Sequence, residues 1–216
     1  MAAGSGLRLG VGVPKALVTV GDRPMYEWSL MAFRDARTVE QIVLAVPPGR
    51  QPDFSASGVM LVEGGSSRSR SVANGLAAAE NEFLVVHDAA RPLVSPQLID
   101  RAVEALRESP ELDAVVTAAP VTDTVKRVDE NGTVVETLDR STLRAVQTPQ
   151  VFRTAALRDA IAKGDLENAT DDAFLIESAG GRVAVLDSPA SNIKVTVASD
   201  IDLAEHLMSS IKEISN

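Results

Sequence analysis

Apolar residues in this chain follow two alternating rhythms. Short runs rich in β-branched residues occur at Ile42–Val46, Val59–Val62, Phe83–Val86, Ala114–Ala119, Val183–Leu186 and Ile193–Val197. Continuous apolar runs of that length predict strands covered on both faces. Helical patterns lie between them. One starts at Pro24 and places Met25, Trp28 and Met31 on a common face. Another follows Ser95-Pro96, an N-cap with proline at the first helical position, and turns Ile99, Val103 and Leu106 inward. The last begins at Ser199 and spaces Leu203, Leu207, Ile211 and Ile214 at helical intervals. Strands alternating with helices predict an α/β fold with a mostly parallel sheet and helices on both faces.

One segment departs from this rhythm. "TDTVKRVDENGTVVETLDR" reads as strand, turn, strand, with Asn131-Gly132 as the hairpin turn. Its flanking residues alternate, but few are large and apolar. Such a hairpin buries little within its own domain, so a protruding β-arm is expected at about 121–142. The pattern fits an arm that crosses to another subunit and a plain surface hairpin equally well. Neither a repeat nor a linker divides the rest, and residues 1–216 are expected to form a single domain.

Composition narrows the function. The chain has 216 residues, 45% of them hydrophobic, and a net charge of −9. That charge argues against a general nucleic-acid binder, which needs a basic face. An anionic ligand would have to be held by a few placed cations. There is no cysteine, which excludes disulfides, thiolate metal sites and cysteine nucleophiles. No apolar run is long enough to span a bilayer. The opening residues lack the charged stretch and apolar core of a signal peptide, so a cytoplasmic protein is expected.

Candidate chemistry begins at the first residue, with "MAAGSGLRLGVGVPK". Gly4 and Gly6 fit the start of G-x-G-x-x-G, but Leu9 stands where the last glycine belongs. The P-loop pattern fails too, because Lys15 lies between Pro14 and Ala16. Glycines nevertheless let backbone N–H groups approach phosphate oxygens, and Arg8 and Lys15 add positive charge. Standing alone, the loop reads as a glycine-rich turn with two solvated cations. "EGGSSRSRSVANGL" repeats the recipe with Gly64-Gly65, Arg68 and Ser71 near a helix start. "VVHDAARP" ends a buried strand with Asp88 and Arg91. Ligands of open α/β sheets sit at such strand ends, and a carboxylate there is a candidate Mg²⁺ ligand. His87 reads as a satisfied core histidine. Thr124, Lys126, Arg140, Thr148 and Lys194 follow. Lys194 stands in an apolar run, where an unpaired cation is costly, so it must point outward or meet an anion. Asp171 and Asp172 in "ATDDAF" are accounted for by helix capping and given no catalytic role.

Taken in order, "AAGSGLRLG…PK", "GGSSRSRSV", "VHDAARP", "APVTDTVK", "RAVQTPQ", "TDDA" and "NIKVT" resemble the 2-C-methyl-D-erythritol 4-phosphate cytidylyltransferase family of the non-mevalonate isoprenoid pathway. The resemblance runs from Ala2 to about Leu203. It implies a Rossmann-like nucleotidyltransferase fold and a homodimer formed through an exchanged β-arm. It implies that Ala2, Ala3, Gly4, Ser5 and Gly6 wrap the phosphates of CTP, and that Arg8 and Lys15 are catalytic cations. Gly65, Arg68 and Ser71 would line the cytidine pocket. Asp88 would hold Mg²⁺ and contact substrate. Arg91, Thr124, Arg140, Thr148 and Lys194 would bind the sugar-alcohol phosphate, Thr124 and Arg140 from the neighbouring subunit.

The family places a central strand ahead of the glycine-rich loop. Here Met1 adjoins Ala2, so the first strand is expected to be missing from the recorded sequence. Three other readings stay open: a ribitol-5-phosphate cytidylyltransferase, a nucleotide-binding protein without turnover, and an NAD-binding oxidoreductase. Leu9 and the lack of an obvious ribose-binding acid weigh against the last.

Overall fold

The structure is a computed structural model that describes residues 1–4 and 12–214. Its larger sheet has four strands in the order β10 (Val183–Asp187), β6 (Ala114–Pro120), β9 (Arg144–Arg153) and β5 (Phe83–Val86). β10 and β6 are parallel, whereas β9 runs antiparallel to both β6 and β5. β5, β6 and β10 therefore share one direction, as the expected parallel sheet requires, and β9 is the exception that makes the sheet mixed. A second parallel pair joins β3 (Val43–Val46) to β4 (Met60–Glu63). A two-stranded antiparallel pair, β1 (Thr19–Val20) and β2 (Arg23–Pro24), precedes the first helix.

The period-two alternation of the strands explains why helices cover both faces. Val116 and Phe152 pack on one face with Val72 and Leu76 of α2 (Arg68–Leu76), Leu157 of α4 (Thr154–Lys163) and Leu175 of α5 (Asp172–Ser178). Their neighbours Val115 and Val151 point the other way, onto Val103 and Leu106 of α3 (Pro96–Arg107). α3 begins as its sequence directs: the Ser95 hydroxyl accepts a 3.2 Å bond from the Leu98 N–H. α1 (Met25–Asp35) docks on α3 through Ala32, Leu98 and Ile99.

Several expectations need correcting. Ile193–Val197 is not a strand. Val195 gives its N–H to the Ala90 carbonyl, and the Asp200 carboxylate takes the next two amides, Thr196 and Val197. Those amides are thereby lost to a ladder. β9 was hidden by Gln147, Thr148, Pro149 and Gln150, which break apolar alternation. They fit because the register slips between Val116 and Ala118 and the Thr117 hydroxyl donates to the Pro149 carbonyl at 2.9 Å. In α1 the buried face is Met25, Tyr26 and Leu30. Met31 is exposed, and Trp28 lies under the Arg23 guanidinium, 4.7 Å from its ring centre. In α6 (Ser199–Ile214) the inward side chains include Ile201, Ala204 and Met208, while Leu203 faces solvent.

The hairpin is present as expected: β7 (Lys126–Val128) pairs antiparallel with β8 (Val134–Thr137). Gly132 takes φ +80°, which the turn requires, and the Asp129 carboxylate accepts from the N–H groups of Asn131 and Thr133. Val128, Val134 and Val135 are all more than half exposed.

β3 and β5 each have one edge without a ladder among the described residues. A cavity of about 390 Å³ lies between them, lined along its length by Val43, Leu84 and Val86. At one end Met1 and Ala2 bridge the gap. The Met1 amino group donates to the His87 carbonyl at 2.7 Å, Ala2 N–H to the Ala45 carbonyl at 2.8 Å, and Ala89 N–H to the Met1 carbonyl at 3.0 Å.

His87 follows β5 and is buried, as expected of a core histidine. The Thr148 hydroxyl accepts the Asp88 N–H at 3.1 Å, so its own proton is left for His87 Nδ1 at 3.0 Å. The ring proton then sits on Nε2 and goes to the Arg91 carbonyl at 3.2 Å. Burial, with the nearby amino terminus adding to it, pushes the imidazole pKa down from 6.5 to about 3. Between those two values the unfolded chain binds a proton that the folded one does not, so stability falls as pH drops through this window. Urea unfolding at pH 7.5 and pH 5.0 should give a lower midpoint at the acid value, and His87→Gln should flatten the difference.

Candidate active site

Three parts of the chain meet in a second cavity of about 610 Å³, at the carboxyl ends of β4 and β5. The first is the opening segment with Lys15. Ala2, Ala3 and Gly4 form one wall, and the Lys15 N–H donates to the Gly4 carbonyl at 3.3 Å, which folds the far end of the loop back beside its start. Ser5, Gly6 and Arg8, named from the sequence, lie outside the described residues.

The second part is the turn from β4 into α2. Gly64 and Gly65 are required there by space. A Cβ on Gly64 would stand 2.4 Å from the Ala3 Cβ, and one on Gly65 2.3 Å from the Arg70 Cβ. The Ser71 hydroxyl locks the turn, accepting from the Gly65 N–H at 2.9 Å and donating to the Ser67 carbonyl at 2.9 Å. Ser67 caps α2 by accepting from the Arg70 N–H. Arg68 is thus the first helical residue, and its side chain lines the cavity.

The third part is Asp88, just past β5, with Lys194 from the segment before α6. Asp88 Oδ2 accepts from Lys194 Nζ at 2.6 Å, and Oδ1 accepts from Arg68 Nε at 3.2 Å. Burial alone would raise the Asp88 pKa. Arg68 and Lys194 outweigh it and hold the carboxyl well below the ordinary range. The lysine that the sequence required to face outward or meet an anion meets one.

Not every candidate reaches this cavity. Thr148 lies beneath it, bonded to Asp88 and His87 as described above. Arg91 is buried and spends Nη1 on the Asn192 carbonyl at 2.7 Å, and its Nε has no partner. Thr124 and Arg140 are in the exposed arm, where Arg140 bonds the Thr122 carbonyl. Sequence reasoning missed Asp172. Asp171 is the cap of α5, accepting from the Phe174 N–H at 2.9 Å. Asp172 is fully buried and bonds Arg68 Nη1 instead. The signal was present in "TDDA": one helix start needs one capping carboxylate, so the second acid was unexplained.

The donor set can be tested against a divalent cation. Asp88 is the carboxylate that lines the cavity, and no cluster of three His, Cys, Asp or Glu occurs among the described residues. That excludes an all-protein cage there. It fits Mg²⁺, which takes one or two carboxylates and completes its shell with phosphate and water.

Comparison with known proteins gives the same direction. Residues 1–210 match the family model described as 2-C-methyl-D-erythritol 4-phosphate cytidylyltransferase. A protein of that name from Saccharopolyspora erythraea is 42% identical, over 96% of this chain and 96% of its own length. One from Thermus thermophilus is 44% identical over 95% of this chain and 93% of its own. The crystal structure of the enzyme from Thermus thermophilus superimposes with TM-score 0.80 at 39% identity, covering 91% of this chain and 94% of that one. The 4-diphosphocytidyl-2C-methyl-D-erythritol synthase of Anaerococcus prevotii gives TM-score 0.84 at 28% identity, covering 96% and 93%. With its α/β architecture and these matches across nearly its whole length, the chain belongs to the 2-C-methyl-D-erythritol 4-phosphate cytidylyltransferase family.

Proposed function

We propose that this protein joins CTP to 2-C-methyl-D-erythritol 4-phosphate, giving 4-diphosphocytidyl-2-C-methyl-D-erythritol and pyrophosphate, in the cytoplasm. The observation that carries the reading is the meeting of Ala2–Gly4, Lys15, Gly65, Arg68, Ser71, Asp88 and Lys194 around one cavity. No helix among the described residues is long and apolar enough to cross a membrane.

The roles follow from chemistry. A phosphate oxygen of the acceptor attacks the α-phosphorus of CTP. A new P–O bond forms, the α–β bridging P–O bond breaks, and pyrophosphate leaves with the electron pair. The nucleophile is already an anion, so no general base is needed. The difficulty is to bring two polyanions together and to stabilise the charge that develops between them. Backbone groups at Ala2, Ala3, Gly4, Ser5 and Gly6 would hold the triphosphate, and Arg8 and Lys15 would face the α-phosphorus. Gly65, Arg68 and Ser71 would receive the nucleoside. Lys194 and Asp88 would orient the acceptor, with Arg91 and Thr148 supporting them from below. Asp88 would also hold Mg²⁺, which when bound neutralises phosphate charge. Both Asp88 oxygens accept from cations, and each keeps a further lone pair with which it would meet the metal.

The arm fits a role in a homodimer. Val128, Val134 and Val135 are more than half exposed in their own chain, and within one chain Thr124 and Arg140 stand in the arm rather than at the cavity. In a pair of copies the arm at 121–142 would bury those valines and carry Thr124 and Arg140 to the neighbour's acceptor site, with residues 1–216 acting as one domain.

Pyrophosphate release with CTP and Mg²⁺ tests the reading directly. Turnover is expected with 2-C-methyl-D-erythritol 4-phosphate; turnover with ribitol 5-phosphate alone would reassign the acceptor. Lys15→Ala should lower kcat by about 10²–10³-fold, the usual cost of one preorganised charge partner, with the melting temperature unchanged. Near-normal turnover in that variant would remove Lys15 from the chemistry. Val134→Glu with Val135→Glu should shift the protein from dimer to monomer in sedimentation and reduce turnover with it.

A further inference from the structure

Asp172 has a position that capping does not explain. Asp171 takes the cap of α5 and also accepts from Gln150 Nε2 at 2.9 Å. Asp172, the next residue, has a side chain with 0% exposure. Its Oδ2 accepts from Arg68 Nη1, and its Oδ1 has no protein partner. A buried carboxylate with one oxygen unpartnered is costly, and the bond to Arg68 is the contact that offsets that cost. It does not line the substrate cavity, so it does not touch the substrate directly.

The bond it makes is the informative one. The Arg68 guanidinium stands between two carboxylates, Asp172 behind it and Asp88 in front, at 3.2 Å from Nε. Lys194 lies on the other oxygen of Asp88 at 2.6 Å. The charges alternate along the row Asp172, Arg68, Asp88, Lys194. Three of the four line the cavity, and Asp172 is the inner end. Asp88 is the member that ligands would contest. If Asp88 turns to a ligand, Arg68 loses its front partner and would swing unless something behind it holds on. A guanidinium gripped at Nη1 keeps its plane and leaves Nε aimed at the cavity.

We infer that Asp172 is a positioning residue: it holds the Arg68 guanidinium from behind, and so sets how tightly the cavity binds a cytidine nucleotide. This rests on the function proposed above. Asp172 is expected to govern KM for CTP far more than kcat, because it acts on the binding wall and not at the reacting phosphorus.

The test uses the full chain with Asp172→Asn, which keeps the shape and removes the charge. KM for CTP should rise about tenfold, within the range for loss of a supporting partner, with kcat changed less than threefold. In an Arg68→Met background the same substitution should change nothing further, since its effect passes through Arg68. Asp171→Ala, which removes the cap and the Gln150 bond but not the grip on Arg68, should lower the melting temperature without this KM change. The Arg68 Nε–H resonance should broaden in Asp172→Asn without any nucleotide, which reads the grip on the side chain separately from turnover. If Asp172→Asn does not fold, Asp172→Glu keeps the charge one methylene longer and should show a partial rise in KM. An unchanged KM and an unchanged Arg68 resonance in a folded variant would overturn the inference. So would an equal effect with and without Arg68. Failure of the wild-type protein to bind CTP would instead overturn the functional reading, and the Arg68 resonance would still decide the role of Asp172.

Discussion

Asp88 keeps its charge in a place where burial works against it, and the site is organised around that conflict. Its carboxylate is reached by Arg68 from the start of α2 and by Lys194 from the segment before α6, residues far apart in sequence. Each cation arrives because a local rule delivers it. Arg68 is presented by a Ser67-capped helix behind two glycines that admit no Cβ. Lys194 is presented by a segment whose amides are taken by Ala90 and Asp200. The partners outweigh desolvation, which is why the carboxyl stays ionised. Removing either would leave a buried charge short of compensation, a far larger penalty than losing a surface pair.

Much of the fold was legible because period and punctuation agreed. Phe83–Val86 was readable as a strand from its apolar run. α3 was readable from Ser95, Pro96 and the spacing of Ile99, Val103 and Leu106. The hairpin was readable from Asn131-Gly132. Legibility failed where tertiary contacts overrode the local pattern. Ile193–Val197 looks like a strand, yet its amides are claimed by a loop carbonyl and a helix carboxylate. β9 looks like a loop, because Pro149 and its polar neighbours are tolerated only opposite a register slip in β6. The faces of α1 and α6 were misjudged where Trp28 and Leu203 could lie on either side of a boundary that only packing fixes.

The candidate site was legible by another route. Gly65, Arg68, Ser71, Asp88 and Lys194 could be named from residue chemistry and family resemblance, and they converge on one cavity. Arg91 and Thr148 were also named, but they serve beneath the surface, where sequence cannot tell a ligand from a brace. Asp172 was passed over because a capping explanation was available for both acids and was needed for one. Distance between carboxylate and guanidinium is a fact of folding, and no spacing in the sequence encodes it.

The gap between β3 and β5 also has a bearing on the cavity. The glycine turn and Arg68 belong to the β3–β4 side. Asp88 follows β5, on the larger sheet. No ladder joins these sheets among the described residues; at one end Met1 makes two backbone bonds to the β5 side and Ala2 one to β3. The Arg68–Asp88 ion pair at 3.2 Å therefore reaches from the β3–β4 side to the larger sheet. One guanidinium thus rivets the two strand groups to each other while also forming part of the cavity wall.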